Sequence, residues 1–136
     1  MEKITPKYIM SLAEEVAKNS KDPHTKVGAV VVDSLGGVLS MGYNRMPYRI
    51  PDEAKYWKRP VKYDYVRHAE EIALLNTTPT TAHRIYVTLS PCANCAKIIA
   101  DTSIKEVIYK EYREDLKSEE ILQNAGITMR SIDELS

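Results

Sequence analysis

Four side chains in two short motifs could together hold a metal ion and transfer protons. His68 and Glu70 belong to the tripeptide HAE, and Cys92 and Cys95 belong to the pentapeptide PCANC. Imidazole and thiolate groups are preferred zinc ligands, and three protein ligands with an open fourth position are typical of a catalytic zinc site. The sequence therefore predicts one Zn2+ held by His68, Cys92 and Cys95.

The spacing within each motif favours different roles for the thiolates and the carboxylate. Cys92 and Cys95 are three residues apart, so their sulfur atoms would share one face of a helix, whose N-terminal turn would stabilise them as thiolates. Zinc lowers the pKa of a bound water toward neutrality. Glu70 is poorly placed as a second ligand from the same turn as His68, and we expect it to carry protons in a dry pocket.

Other interpretations of the cysteine pair stay open at this point. A CxxC pair alone is more often redox-active or structural than catalytic. A thioredoxin-like pair would not need a partner histidine, and a closed structural site would need a fourth Cys or His, for which only His24 and His83 are available. The combination of the pair with His68 and Glu70 favours catalysis.

Hydrophobic periodicity predicts the elements that must position these motifs. Residues 5–18 form an amphipathic pattern with Thr5 as a helix cap and Pro6 in the first turn. Two apolar runs separated by paired glycines predict a β-hairpin. The HAE and PCANC motifs each begin a predicted helix. Because helices and strands then alternate, we expect an α/β layered sheet with helices on both faces. The predicted strands are 27–33, 38–43, 84–89, 105–109 and 127–129, and the later helices are 68–76, 91–100 and 118–123.

A long segment before the HAE motif, residues 45–66, cannot be one regular element. It contains three prolines, four tyrosines and the single tryptophan, with six basic and three acidic residues. Its aromatic content predicts an ordered, packed segment, and loops of this length are usually functional or disordered.

Composition limits the class of protein. The 136 residues are enough for one domain, predicted over residues 1–136. Nineteen basic and nineteen acidic residues balance, which argues against nucleic acid as a partner. No apolar run approaches the roughly 20 residues of a membrane span, and the first residues do not resemble a signal peptide. Two cysteines at CxxC spacing favour a reducing cytoplasm over a disulfide framework.

Five stretches in order carry a resemblance over nearly the whole chain: DPHTKVGA at 22–29, GYNRMP at 42–47, HAE at 68–70, VTLSPC at 87–92 and IKEVIY at 104–109. They resemble the motifs of deoxycytidylate (dCMP) deaminases, in the zinc-dependent cytidine/deoxycytidylate deaminase family. The resemblance implies a three-layer α/β/α cytidine-deaminase-like fold with a five-stranded mixed sheet. It also implies hydrolysis of dCMP to dUMP and ammonia, which supplies dUMP for thymidylate synthesis. The resemblance further implies homo-oligomers, often hexamers, with dCTP as activator and dTTP as inhibitor, and with Mg2+ on the bound triphosphate.

The resemblance further implies substrate-binding residues. Thr25 and the backbone from Lys26 to Ala29 would border the substrate, Asn44 would bond the sugar, and the Ala69 backbone would read the pyrimidine. Glu70 would deliver protons to the ring nitrogen and the departing amine. The phosphate needs cations or several N–H donors, although any one such side chain could instead be an ordinary surface group. The candidates are Lys21, Arg45, Arg67, Arg113 and the hydroxyl of Tyr112.

The chain departs from the family pattern in three places. Arg45 replaces the last glycine of a GYNG turn that resembles the effector-binding region, so Gly42, Asn44 and Arg45 are candidate effector-binding residues. The arginine would remove or alter control of the enzyme by nucleotide effectors. Ile72 stands where an asparagine is usual. Many relatives hold a second zinc ion with further Cys and His residues, but only two cysteines are present here, which predicts one zinc per chain.

Three rival functions use some of the same features. The HAE, PCxxC and Tyr43-Asn44-Arg45 sequences also resemble tRNA adenosine deaminases, but those proteins need a broad basic surface. Free cytidine deaminases usually have a cysteine in place of His68. A zinc-stabilised nucleotide sensor would have no use for the Glu70 carboxylate, so that residue distinguishes an enzyme from a sensor.

Overall fold

A computed structural model describes residues 4–135. Residues 1–3 and 136 of the predicted domain lie outside the described part. The elements follow one another as α1 (Pro6–Ala17), β1 (Gly28–Val32), β2 (Val38–Tyr43), α2 (Ala54–Trp57), α3 (Lys62–Tyr65), α4 (Ala69–Leu75), β3 (Arg84–Leu89), α5 (Ala93–Ala100), β4 (Glu106–Glu111), α6 (Leu116–Asn124), β5 (Thr128–Ser131) and a 3-10 turn (Ile132–Glu134). Within residues 4–135, each helix is too short or too polar to cross a lipid bilayer.

The five strands form one mixed sheet in the order β2-β1-β3-β4-β5. β1 pairs antiparallel with both β2 and β3, whereas β3, β4 and β5 run parallel. The tight β1–β2 connection permits the antiparallel hairpin, and α5 and α6 provide the crossovers that parallel strands require. The predicted five-stranded mixed sheet is therefore confirmed.

Different helices cover the two faces of the sheet. On one face, α1 packs Ile9 and Ala13 against Val30. On the other face, α4, α5 and α6 pack in a cluster with Val31 and Val87. Successive strand residues point to opposite faces, so neighbouring valines of β1 serve both layers. The result is the three-layer α/β/α arrangement expected from the family resemblance.

The long segment 45–66 is ordered around two single-turn helices, as its aromatic content predicted. Its ends are joined by an antiparallel bridge between Arg45 and Arg67. Trp57 is buried, and its indole N–H donates to Asp52. Lys62 is also buried and forms an ion pair with Asp22, with 3.1 Å between Nζ and Oδ2. These contacts hold the segment against the body of the fold.

Some element boundaries differ from the sequence predictions for identifiable reasons. The helices carrying the two motifs begin one and two residues later than predicted, because His68 and Cys92 have extended backbone and act as N-cap residues. The last strand is Thr128–Ser131 rather than 127–129. Ile127 precedes it because its N–H donates to the carbonyl of Leu122 near the end of α6 at 2.9 Å, whereas the N–H of Thr128 donates to the carbonyl of Lys105.

Candidate metal and catalytic site

The three predicted zinc ligands lie at the N-terminal ends of two neighbouring helices. His68 caps α4, Cys92 caps α5, and Cys95 is in the first turn of α5. Cys92 follows the carboxyl end of β3, so the central strands of the sheet fix the position of α5. The N-terminal end of a helix presents free N–H groups and a partial positive charge, which favours thiolates there.

The spacing of the ligand atoms fits a tetrahedral zinc ion. The imidazole Nδ1 of His68 is 3.5 Å from Cys92 Sγ and 3.3 Å from Cys95 Sγ, and the three ligand atoms lie within 4.8 Å of one another. Zinc–sulfur bonds of about 2.3 Å and zinc–nitrogen bonds of about 2.0 Å at tetrahedral angles give N···S separations of roughly 3.5 Å. Within residues 4–135 this is the one group of His, Cys, Asp or Glu side chains so arranged.

The thiol chemistry also suits a divalent cation. Hydrogen bonding from Cys95, together with His68, holds the pKa of Cys92 to about 3, far below that of a free thiol. The same hydrogen bond and burial raise the pKa of Cys95. Thiolates are the form that binds zinc, so zinc binding would displace the proton from any thiol of the pair that is not already ionised.

Glu70 lies beside the ligands and is almost completely buried, with 4% of its surface exposed. Burial raises the pKa of its carboxyl to about 7, while its own backbone N–H and then His68 oppose the rise. A carboxyl with a pKa near neutrality can both accept and donate a proton at neutral pH. A carboxyl in this position, with a pKa near neutrality, would be able to act as a general acid and base.

Contacts from α6 hold the PCANC segment in place. The carboxylate of Asp115 accepts the backbone N–H of Ala93 at 3.2 Å and also caps α6. The buried hydroxyl of Ser118 donates to the carbonyl of Pro91 at 2.8 Å. The sequence analysis identified neither residue, because their role depends on how α6 packs beside α5.

Close packing of β2 on α4 fixes the helix that carries Glu70. A Cβ atom at Gly42 would lie 2.6 Å from both the carbonyl oxygen of Ala69 and the backbone nitrogen of Ala73. Glycine is therefore needed here for close approach of a strand to a helix. Gly42 is buried under α4.

A buried polar network forms one wall of the site. Asp22 accepts the backbone N–H groups of His24 and Thr25, and its other carboxylate oxygen accepts from Asn44 and Lys62. Burial raises the pKa of Asp22, but the hydrogen bonds from His24, Lys62 and Thr25 outweigh that effect and lower it overall. The Asn44 amide donates to the Thr25 carbonyl and accepts the N–H of residue 27. Asn44 therefore shapes the 22–27 loop.

A cavity of about 160 Å3 opens over Glu70 and two of the ligands, His68 and Cys92. Of the predicted substrate-binding residues, Thr25, Asn44, Ala69 and Arg113 line it. The sequence analysis did not name other residues of the wall, whose only signals were the basic and aromatic character of segment 45–66 and their place in the DPHT and VTLSPC stretches. The lining residues that it missed include Asp22, Arg59, Lys62, Tyr63 and Ser90.

Several other predicted residues lie outside this cavity. Lys21 and Lys26 are exposed and do not line it. The hydroxyl of Tyr112 donates to Glu119 at 2.8 Å, and Tyr112 also lies away from the cavity. The hydrogen bond to Glu119 is the main reason that the pKa of Tyr112 is raised to about 12, and the negative charge of Glu119 adds to the effect. Its hydroxyl is thus already used by a surface carboxylate.

The side chains of Arg45 and Arg67 also lie outside the cavity over Glu70. Arg67 forms an ion pair with Glu71 at 2.9 Å and lines a separate surface cavity between α4 and α5. Arg45 is half-buried and donates to the carbonyl of Met46. The structure does not bring either side chain to the cavity over Glu70.

Comparison with known proteins identifies relatives over most of the chain. Residues 3–111 match the family described as cytidine and deoxycytidylate deaminase zinc-binding region. The chain is 38% identical over 138 residues to deoxycytidylate deaminase of Homo sapiens, covering 92% of this chain and 78% of the relative.

Solved structures have the same fold. The dCMP deaminase of cyanophage S-TIM5 in apo form superposes with a TM-score of 0.78 and 27% sequence identity, covering 96% of this chain and 99% of that one. The same phage enzyme in complex with dCMP and dUMP gives a TM-score of 0.77, covering 98% of that chain. The match spans the sheet and both helical layers.

Proposed function

The chain belongs to the cytidine and deoxycytidylate deaminase family, and from that membership we propose that it is a zinc-dependent deaminase hydrolysing dCMP to dUMP and ammonia. The reaction replaces the exocyclic amine of cytosine with an oxygen atom from water. Its product is the nucleotide from which thymidylate is made. The Homo sapiens relative and the phage enzyme both bear the name of this activity.

The observation that carries the proposal is the buried Glu70 carboxyl beside three convergent zinc ligands. A bound zinc ion would supply the Lewis acid that activates water for attack on C4 of the pyrimidine. Glu70 takes a proton from the attacking water and delivers it to N3 of the ring. It then transfers the second proton to the departing amine, which leaves as ammonia. A pKa of about 7 lets one carboxyl perform both transfers.

The cavity wall supports a pose for the nucleotide. We assign the backbone of Ala69 to the pyrimidine edge, and Thr25 and Asn44 to the sugar. Asn44 retains a free lone pair on its amide oxygen beyond the bond from residue 27. Lys21, Lys26 and Tyr112, which lie outside the cavity, have no role in this pose.

Control by other nucleotides forms a second part of the proposal. We assign dCTP as activator and dTTP as inhibitor, each bound with Mg2+ near Gly42, Asn44 and Arg45. Support comes from the close packing of Gly42 on α4, because a ligand that moves this turn would also move the helix carrying Glu70. A homo-oligomer, a hexamer in the family pattern, would provide the multiple sites for such control.

The remaining assignments follow from the metal site. We propose one zinc ion per chain, one deaminase domain over residues 1–136, and a reducing compartment such as the cytoplasm, because both ligand thiols must stay reduced. Cys92 and Cys95 are free cysteines in the structure and form no disulfide bond with each other.

A spectroscopic deamination assay across five substrates tests the proposed function. The zinc-loaded protein should convert dCMP faster than dCTP, CMP, cytidine or a tRNA anticodon stem-loop, and dTTP with Mg2+ should slow it. Activity confined to the stem-loop would establish a tRNA adenosine deaminase instead. Binding of dCMP with no turnover of any substrate would establish a sensor.

A further inference from the structure

The loop before α5, residues 90–93, is hydrogen-bonded to a neighbouring segment, residues 111–118. The backbone N–H of Ser90 donates to the carbonyl of Glu111 at 2.9 Å. The hydroxyl of Ser90 donates to the Arg113 carbonyl at 3.1 Å and accepts the Arg113 N–H at 2.8 Å. Ser90 is buried, so water competes little for these bonds. The start of the loop therefore takes its position from the end of β4.

Two further bonds hold the peptide groups on either side of Cys92. The buried hydroxyl of Ser118 donates to the carbonyl of Pro91 at 2.8 Å. The N–H of Ala93 donates to the carboxylate of Asp115 at 3.2 Å. Both peptide groups that Cys92 forms with its neighbours are thus anchored to the first turn of α6 and its N-cap residue.

Cys92 depends on such anchoring more than Cys95 does. Cys95 belongs to α5, so the helix and its own burial fix its side chain. Cys92 is half-buried and precedes the helix as its N-cap, with φ −79° and ψ 173°. Rotation of either adjoining peptide group would turn the Cys92 sulfur away from His68, whose Nδ1 atom is 3.5 Å from it. The position of this one ligand is therefore set by the contacts of its loop.

The Asp115 carboxylate connects the N-terminal ends of two helices. Its Oδ2 atom accepts the Ala93 N–H in the first turn of α5, and its Oδ1 atom accepts the Ser118 N–H at 3.0 Å as the cap of α6. A negative charge is favourable beside both ends, because the free N–H groups there carry partial positive charge. Serine and asparagine are comparably good helix caps, but each has only one acceptor oxygen. Either replacement at residue 115 would keep the cap of α6 and lose the bond to Ala93.

We infer that Asp115 is a positioning residue of the metal site, which holds the Cys92 sulfur toward His68 through the Ala93 N–H and thereby increases the affinity for zinc. The inference rests on the zinc site of the proposed function. Groups that hold a metal ligand in place typically contribute about 10- to 100-fold in metal affinity or activity. Asp115 contributes more than Ser118, because a hydrogen bond to a carboxylate is roughly twice as strong as one between neutral groups.

The test measures the zinc dissociation constant of Asp115→Ser by competition with a chromogenic chelator. The constant should rise by about tenfold or more, and Ser118→Ala should raise it less. The metal-free variant should unfold in urea like the metal-free parent, because serine still caps α6. With Co2+ in place of zinc, the sulfur-to-metal absorption band of the variant should shift or weaken. Glu114→Gln is the matched control, since it removes one negative charge from the exposed residue before Asp115 and should leave the constant unchanged.

Asp115→Asn repeats the measurement with a side chain of nearly the same size and should show the same loss of affinity. Zinc dissociation constants within about threefold of the parent in both variants would overturn the inference, even if the variants unfold more easily, since Asp115 would then act only as the cap of α6. Failure of both variants to fold would overturn it likewise. A parent that binds one zinc ion per chain but does not deaminate dCMP would overturn the proposed function and leave the inference standing. A parent that binds no zinc would overturn both.

Discussion

The buried ion pair between Lys62 and Asp22 gives a quantitative prediction about how segment 45–66 is held. Lys62 and Asp22 have side chains only 8% and 4% exposed, and their charged atoms are 3.1 Å apart. Removing one partner of a buried pair leaves the other charge uncompensated and costs about 3–5 kcal/mol. In Lys62→Met, Asp22 still accepts hydrogen bonds from His24, Thr25 and Asn44, so we expect a loss at the lower end of this range, about 3 kcal/mol.

Equilibrium unfolding in urea measures this loss directly. We expect Lys62→Met to lower the free energy of unfolding by ~3 kcal/mol, which corresponds to a fall in Tm of roughly 10 °C for a domain of this size. Lys55→Met is the matched control, since Lys55 lies in the same segment and pairs with Glu53 at 3.6 Å with both side chains more than half exposed. Its loss should stay below about 0.5 kcal/mol.

The pH dependence of the loss identifies its cause. The folded-state pKa of Asp22 lies below its ordinary value of 3.8, so the stabilisation is fully present above pH 3.8 and is lost as the pH falls through the folded-state pKa. The difference between parent and Lys62→Met should therefore shrink in acid. A free energy of unfolding within about 0.5 kcal/mol of the parent at pH 7 would refute the reasoning, because removing one partner of a buried ion pair should cost several times more.

Three further changes address the site. Cys92→Ser should lose both zinc and activity, since the thiolate is a ligand; stoichiometric zinc by metal analysis would contradict its assignment. Removing zinc with a chelator should lower Tm and abolish turnover, and added Zn2+ should restore both; full turnover by metal-depleted protein would argue against a metal-dependent reaction. Gly42→Ala should cost about 1–3 kcal/mol in unfolding and lower kcat, because the methyl group would push against the backbone of α4. Unchanged stability and kcat would show that the two elements separate freely.

The metal site was predictable because all of its ligands belong to two short sequence motifs. His68, Cys92 and Cys95 have side chains that bind zinc, and each motif directly precedes a helix that turns those side chains inward. The strands were predictable for a similar reason, since short apolar runs bounded by turn residues mark most of them. The predicted starts of α4 and α5 were one and two residues too early, because His68 and Cys92 are N-cap residues with extended backbone and precede the helices.

The cavity wall was less predictable because it depends on tertiary contacts. Arg59 and Lys62 reach the site only through the way in which segment 45–66 folds back, with Trp57 buried and the segment ends bridged. No periodic pattern marks that path. Tyr112 was predicted to bind substrate but lies outside the cavity. Its neighbour Arg113 lines the cavity, whereas the Tyr112 hydroxyl donates to Glu119 on the surface.

The most direct test of the account measures zinc content and dCMP turnover on the same sample of Glu70→Gln. The variant should bind one zinc per chain, unfold like the parent and lose nearly all turnover, because an amide cannot accept the proton from water or pass it to the amine. Glu71→Gln, a change at the neighbouring carboxylate that lies outside the cavity, should keep most of the activity. Deamination of dCMP by zinc-loaded Glu70→Gln at close to the parent rate would contradict the central claim that Glu70 carries the protons.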